Sequence, residues 1–202
     1  MPGQDNAAAD GCTSLLWCHR FMQFNHDNMS GVWLAEELVN MQEAGTWNIP
    51  ALQDLLTRYL FRQPELDIAA VRELLEWVPL LRSVFDAPDE EARSRAVNTL
   101  LDQGVRRVFL TTHDGMLPHM HFADTGDSVV ERLRAMTAGG LAIFITEAGG
   151  ARLGGCARKE CRQVFADTSR GGRRAYCSAR CGNKDAVERY RGRQGALQHR
   201  SR

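Results

Sequence analysis

Four cysteines near the C-terminal end constrain this chain more than any other feature. Cys156-Ala-Arg-Lys-Glu-Cys161 forms a C-x4-C pair, fifteen residues follow, and Cys177-Ser-Ala-Arg-Cys181 forms a C-x3-C pair. Each pair closes a short loop that can bring two thiolates to one point, and the Arg-rich gap lets the chain return with two more. Zn²⁺ takes four such ligands tetrahedrally at ~2.3 Å, and a closed shell of this kind supplies much of a small module's folding energy. Two disulfides, or four unrelated buried thiols, are the alternatives. The compartment weighs against disulfides. No window approaches the ~18 consecutive apolar residues of a membrane span. The start, Met-Pro-Gly-Gln-Asp-Asn, has no basic segment leading into an apolar run. A cytoplasmic location with no membrane contact is therefore expected, and clustered cysteines there bind metal rather than cross-link. Cys12 and Cys18 are left over as free thiols without a role.

A net charge of zero over 202 residues conceals a division. Residues 156–202 hold 13 Lys+Arg against 4 Asp+Glu, a balance of +9, while the preceding 155 residues hold 12 against 21, a balance of −9. Four thiolates on a Zn²⁺ take two units from the basic end and leave it clearly positive. Such asymmetry suggests a nucleic-acid-binding tail on an acidic body, with a solvated tail docking on its own body as the alternative.

The first 150 residues can bury a core. Residues 1–14 are small and polar and read as a disordered start, followed by a body over 15–150. Leu15 to Phe24 fits a strand or short helix, His26-Asp27-Asn28 and Ser30-Gly31 fit a loop, and Val32 to Met41 a short buried helix. Asn48 caps a helix with Pro50 in its first turn and Leu52, Leu55, Leu56, Tyr59 and Leu60 on one face. Asp67 begins a second helix, which Pro79 should bend or break. Pro88-Asp89 opens a third, stopping near Gly104. Val108, Leu110, Met120 and Phe122 then alternate about an Asp114-Gly115 turn, a hairpin with Pro118 marking an edge strand. His113, His119 and His121 lie there, and His119 and His121 share a strand face. A second metal site is conceivable in this group, but exposed or core-satisfied histidines fit better. Asp127 starts a long helix to Ile145, with Gly139-Gly140 inside it for close packing or a joint. Gly149-Gly150 and Gly154-Gly155 mark the boundary between body and finger.

Within the finger, residues 151–194, Val164-Phe165 and Ala175-Tyr176 read as two short strands joined by a turn through Thr168 to Gly172. Phe165 and Tyr176 would pack over the metal, and Asp167 is placed to bond turn amides or an Arg. Ser178 can cap a helix whose first turn carries Cys181, with a basic tail over 195–202. The fold expected is mainly α (α+β): a helical body with a β-hairpin and a small C-terminal treble-clef-like zinc finger. Arg180, Asn183, Lys184 and Arg191 fall on one side of the finger helix.

Cys156, Cys161, Phe165-Ala-Asp167, Ser169, Arg173-Arg174, Cys177-Ser178 and Cys181-Gly182-Asn183 resemble the CGNR zinc finger, a bacterial family named for its Cys-Gly-Asn-Arg signature. Lys184 stands where the signature has Arg, which keeps the charge and loses the bidentate fork. The body is similar, more weakly, to the ABATE domain that precedes this finger in the family. The resemblance implies a stress- or ligand-responsive transcription regulator.

The leading expectation is a DNA-binding regulator holding one structural Zn²⁺ on Cys156, Cys161, Cys177 and Cys181. Arg180, Asn183 and Lys184 would reach base edges in the major groove of double-stranded DNA. Arg173, Arg174, Arg189, Arg191 and Arg193 would hold phosphates. One finger is a small interface, so a homodimer is expected. Trp17, Trp33, Trp47 and Trp77 are candidates to line a small-molecule effector pocket, although plain core is the commoner role of tryptophan. An RNA-binding or protein-interaction finger is the alternative. No enzymatic activity is expected, because four cysteines close the shell that a catalytic zinc keeps open.

Overall fold

The computed structural model describes residues 26–59, 61, 64–112, 118–124 and 126–200, and side chains within 29–194. The readings made for residues 1–14, Leu15 to Phe24, Cys12, Trp17, Cys18, Leu60, His113 and the Asp114-Gly115 turn lie outside the described residues.

Six helices and two short antiparallel hairpins make up the described residues: α1 (His26–Glu43), α2 (Ile49–Arg58), α3 (Ile68–Phe85), α4 (Glu90–Gly104), β1 (Phe109–Thr111), β2 (His119–His121), α5 (Val129–Ala148), β3 (Leu153–Gly155), β4 (Val164–Ala166) and α6 (Ala179–Arg200). None of the described helices is long and apolar enough to cross a membrane. Local chemistry sets most starts. The side chains of Asn48, Asp67 and Asp89 accept from Ala51, Ala70 and Ala92 N–H at 2.9, 2.7 and 2.7 Å. Ser128 opens α5 in a reciprocal capping box with Glu131, one residue after the Asp127 expected from the sequence.

Long-range packing set what local signals did not. α1 begins at His26, through residues read as a loop, because Gly31 lets it lie directly against α5. A Cβ on Gly140 would stand 2.8 Å from Gly31 Cα, and one on Gly31 would meet the Met136 carbonyl. The Gly139-Gly140 pair therefore serves close packing, and α5 runs through it unbroken. α3 likewise continues through Pro79 to Phe85, since Trp77, Val78, Leu81, Val84 and Phe85 on both sides of the proline are buried in one core.

β1 and β2 pair as expected, with Leu110 opposite Met120. Val108, Leu110 and Met120, however, are exposed at 51, 70 and 48 %, so the apolar alternation does not mark a fully covered face. The second hairpin departs further. β4 pairs with β3, Leu153 opposite Ala166 and Gly155 opposite Val164, and not with Ala175-Tyr176. The segment read as a glycine joint is thus a strand. Leu153, Val164 and Ala166 are buried at 3 % or less among the side chains of the helical body.

Candidate metal centre

Cys156 directly follows β3 and Cys161 lies just before β4, so the first pair occupies the loop of the β3–β4 hairpin. Cys156 N–H donates to Gln163 O at 2.8 Å, extending the ladder to the ligand, and Cys161 N–H closes the loop on Arg158 O at 2.8 Å. Cys177 precedes α6 and Cys181 sits in its first turn. Ser178 Oγ accepts from Cys181 N–H at 3.2 Å, the cap expected from the sequence. A knuckle followed by a helix that gives the last ligand is the treble-clef-like order, with the hairpin built around the knuckle rather than after it.

The sulfur positions test whether one ion fits. Ligands at the corners of a tetrahedron with ~2.3 Å bonds stand ~3.8 Å apart. Cys161–Cys177, Cys177–Cys181 and Cys181–Cys161 are separated by 3.7, 3.6 and 3.8 Å, and all four sulfurs lie within 4.8 Å of one another. A disulfide needs ~2.05 Å, so the four are free thiols converging on one point. They fit one structural zinc. Burial, and then the neighbouring thiols, push the Cys177 thiol up to about 12, and burial also raises Cys161. The Ser178 hydroxyl brings Cys181 down. Thiols crowded this closely cannot all ionise beside one another unless a cation takes up the charge.

Around the sulfurs the finger is tied by polar contacts. Asp167, 2 % exposed, accepts from Ser169 N–H at 2.9 Å and Arg174 N–H at 2.8 Å, the turn amides expected of it. Burial pushes its carboxyl up. The Ser169 and Arg174 donors, with Arg152 nearby, outweigh that and hold it below the usual carboxylate range. Tyr176 donates its hydroxyl to Asp185 at 2.7 Å. Gly182 lies under the Tyr176 ring, where a Cβ would come to 3.3 Å. Arg158 bridges Glu160 at 2.7 Å and Glu188 at 3.0 Å, linking knuckle to helix.

The residues expected to contact nucleic acid divide into two groups. Arg174 stacks its guanidinium 4.8 Å above the Phe165 ring and donates to the carbonyls of Tyr176, at 2.9 Å, and Cys177. It is spent on holding the finger together. Arg189 pairs with Asp185 at 2.8 Å. Arg173, Arg180, Lys184, Arg191 and Arg193 are exposed and make no ion pair among the described residues, and Asn183 is exposed beside them. On α6, Cys181, Asp185 and Glu188 share one stripe, which the bonds to Tyr176 and Arg158 turn toward the finger, while Arg180, Lys184 and Arg191 lie on an exposed flank beside it with Asn183 and Val187. The helix continues to Arg200, through part of the segment read as a separate tail.

Among the described residues, the tryptophans are not gathered into one pocket. Trp77 is 2 % exposed and donates Nε1–H to Thr137 Oγ1 at 3.1 Å, and Trp33 and Trp47 are half-buried against the core. None of these three lines the cavity between α1, β2 and α5.

Sequence reasoning missed the residues that tie the finger together at its start and seat it on the body. Arg152 Nη1 donates to Asp167 O at 3.1 Å and Ser169 O at 2.8 Å. Arg93, 6 % exposed, donates to Val84 O, Ala87 O and Leu153 O at 3.1, 2.9 and 3.4 Å. Glu36 of α1 accepts from Ala166 N–H at 2.9 Å. Only Arg152, set between two glycine pairs next to the cysteines, carried a local signal.

Residues 152–194 match the family model of the CGNR zinc finger. No curated protein matches the chain.

Proposed function

From a CGNR zinc finger whose helix presents its unpaired cations on one side, we propose that this protein is a double-stranded-DNA-binding transcription regulator. The observation that carries the reading is the sorting of charge on α6. Its acids Asp185 and Glu188 are engaged by Tyr176, Arg189 and Arg158, so their charge is offset before a polyanion approaches the neighbouring flank. Arg180, Lys184 and Arg191 remain free there. Arg and Lys suit guanine edges, Asn183 suits adenine, and the exposed Val187 suits a thymine methyl in the major groove. Arg173 and Arg193 hold phosphates, joined by Arg189 when it leaves Asp185. Arg174 belongs to the finger's framework. Four thiolates close the zinc shell, which supports a structural rather than a hydrolytic ion.

A single finger covers little DNA, so the protein acts as a homodimer, two fingers reading half-sites about one turn, ~34 Å, apart. The body supplies the dimer contact and the place for an effector. The test is a salt titration of binding to duplex DNA. Affinity should fall steeply with salt and survive competitor DNA at a selected site. Absent binding at low salt, or preference for single-stranded RNA, would turn the reading toward an RNA-binding or protein-interaction finger.

A further inference from the structure

A cavity of about 380 Å³ opens in the body where the start of α1, the end of α2, β2 and α5 meet. That is within the ~300–1,000 Å³ of small-molecule sites. Phe61, Met120, Phe122, Met136 and Ile143 give it apolar walls. Gly31 and Gly140, whose contact brings α1 and α5 together, also border it.

One lining residue breaks the apolar pattern. Arg132 stacks its guanidinium 5.3 Å from the Phe61 ring centroid, its Nε is buried, and no nitrogen of it has a hydrogen-bond or carboxylate partner among the described residues. A half-buried guanidinium in this state is costly, because burial strips water from its Nε and no described residue replaces it. The other polar groups are engaged elsewhere. Tyr59 donates its hydroxyl to Glu37 at 2.8 Å. Asp124 stands at the rim, its side chain 56 % exposed, with Arg107 at 3.7 Å. His121 Nε2 lies 3.0 Å from His119 Nε2.

We propose that this cavity binds a small molecule with an apolar body and one carboxylate head, the head paired with Arg132. A carboxylate supplies the acceptor that no described residue gives Arg132, and Phe61 stacks on the guanidinium plane. A cation would meet Arg132 unfavourably, and a neutral ligand would leave its charge unmatched. The cavity borders α1 at Ser30 and Gly31, and the same helix holds the finger's hairpin through Glu36 and Asn40. A ligand here therefore touches the element that carries the finger.

The test is calorimetric titration of the full zinc-loaded chain with 4-butylbenzoate and with the neutral 4-butylbenzyl alcohol. The acid should bind saturably, one per chain, and about 10-fold or more tighter than the alcohol, the scale of a charged hydrogen bond. Arg132→Gln should bring the acid to the level of the alcohol and leave the alcohol unchanged, while Arg132→Lys should keep the preference for the acid. The proposal is overturned if neither probe binds saturably, if the alcohol binds as tightly as the acid, or if Arg132→Gln weakens both alike. The comparison on the unaltered chain decides the matter even where a variant fails to fold. It involves no DNA, so it stands apart from the reading of the finger.

Discussion

Asn40 of α1 pairs with Val164 of β4 as a neighbouring strand would. Its Oδ1 accepts from Val164 N–H at 2.8 Å and its Nδ2 donates to Val164 O at 3.0 Å. One amide side chain thus satisfies both backbone groups on the open edge of a buried two-stranded sheet. Asn40→Ala leaves that N–H and C=O in the interior unpaired, at about 1–3 kcal/mol. Urea unfolding should show a lowered midpoint with unchanged slope. Asn40→Asp keeps the acceptor, loses the donor and should fall below the parent as well. An Asn40→Ala protein as stable as the parent would show that the docking of hairpin on helix has been misread.

Zinc content should be one per chain, and cobalt in its place should give the spectrum of a tetrahedral four-thiolate site. Metal loading should fall as pH drops. Protons compete for thiols, and Cys177, driven up to about 12 without the ion, takes its proton back readily. Chelation or Cys161→Ser should release α6 and the turn at Asp167. Because Leu153, Val164 and Ala166 belong to the shared core, it should also lower the melting temperature of the helical body. A body whose melting is untouched by chelation would count against that sharing.

Arg180 and Arg174 should respond in opposite ways. Arg180→Ala removes an unpaired surface cation, so thermal stability should stay within about 0.5 kcal/mol and DNA affinity should fall about 10-fold or more, the lower range of a base-contacting Arg. Arg174→Ala removes the contacts to Phe165 and the Tyr176 and Cys177 carbonyls, so stability and zinc retention should fall first. Equal thermal effects from the two would erase the distinction drawn between reading and framework residues.

Two carboxylates should show opposite pH signatures. Asp167 is held below its ordinary value in the fold, so its ionised form contributes stability above the ordinary carboxylate range near ~4. That contribution is lost as pH falls through the lower folded value. Asp167→Asn should therefore destabilise at pH 7 by about 1–3 kcal/mol, the scale of charged hydrogen bonds, with the gap closing in acid. Glu36 is shifted upward, chiefly by burial, against the Ala166 amide and Arg174. Its contribution is present below the ordinary value and lost as pH rises through the raised one. Glu36→Gln keeps an acceptor for Ala166 N–H without the buried charge, so it should match or exceed the parent at pH 7 and lose that advantage near pH 4. Stability curves for the two variants between pH 3 and 7 check both signs.

What was legible in the sequence followed from short spacings. The two cysteine pairs, the caps at Asn48, Asp67 and Asp89, the Ser178 cap and the bonds of Asp167 each join residues close in sequence. What was not legible depended on distant segments. Gly31 reads as a loop residue until Gly140 is placed against it. Leu153 reads as a joint residue until Ala166 pairs with it. Arg174 reads as a phosphate ligand until Phe165 takes its guanidinium. Pro79 reads as a breaker until the buried residues on both sides of it are counted. Trp77 shows a related point: size and aromaticity fit core and pocket alike, and only its buried neighbours place it in the core.

The β3 strand has a practical corollary for modularity. Its residues precede the first cysteine, yet they are half of the sheet whose loop holds that cysteine, and Leu153 fills the body's interior. Cutting the chain at the glycines after α5 would leave the body with an apolar gap and the finger with bare Leu153, Val164 and Ala166. This finger is therefore not a portable cassette. Grafting it onto another scaffold would require bringing the α1 and α3 surfaces with it, and shuffling it between proteins would be tolerated only where the recipient offers a matching seat.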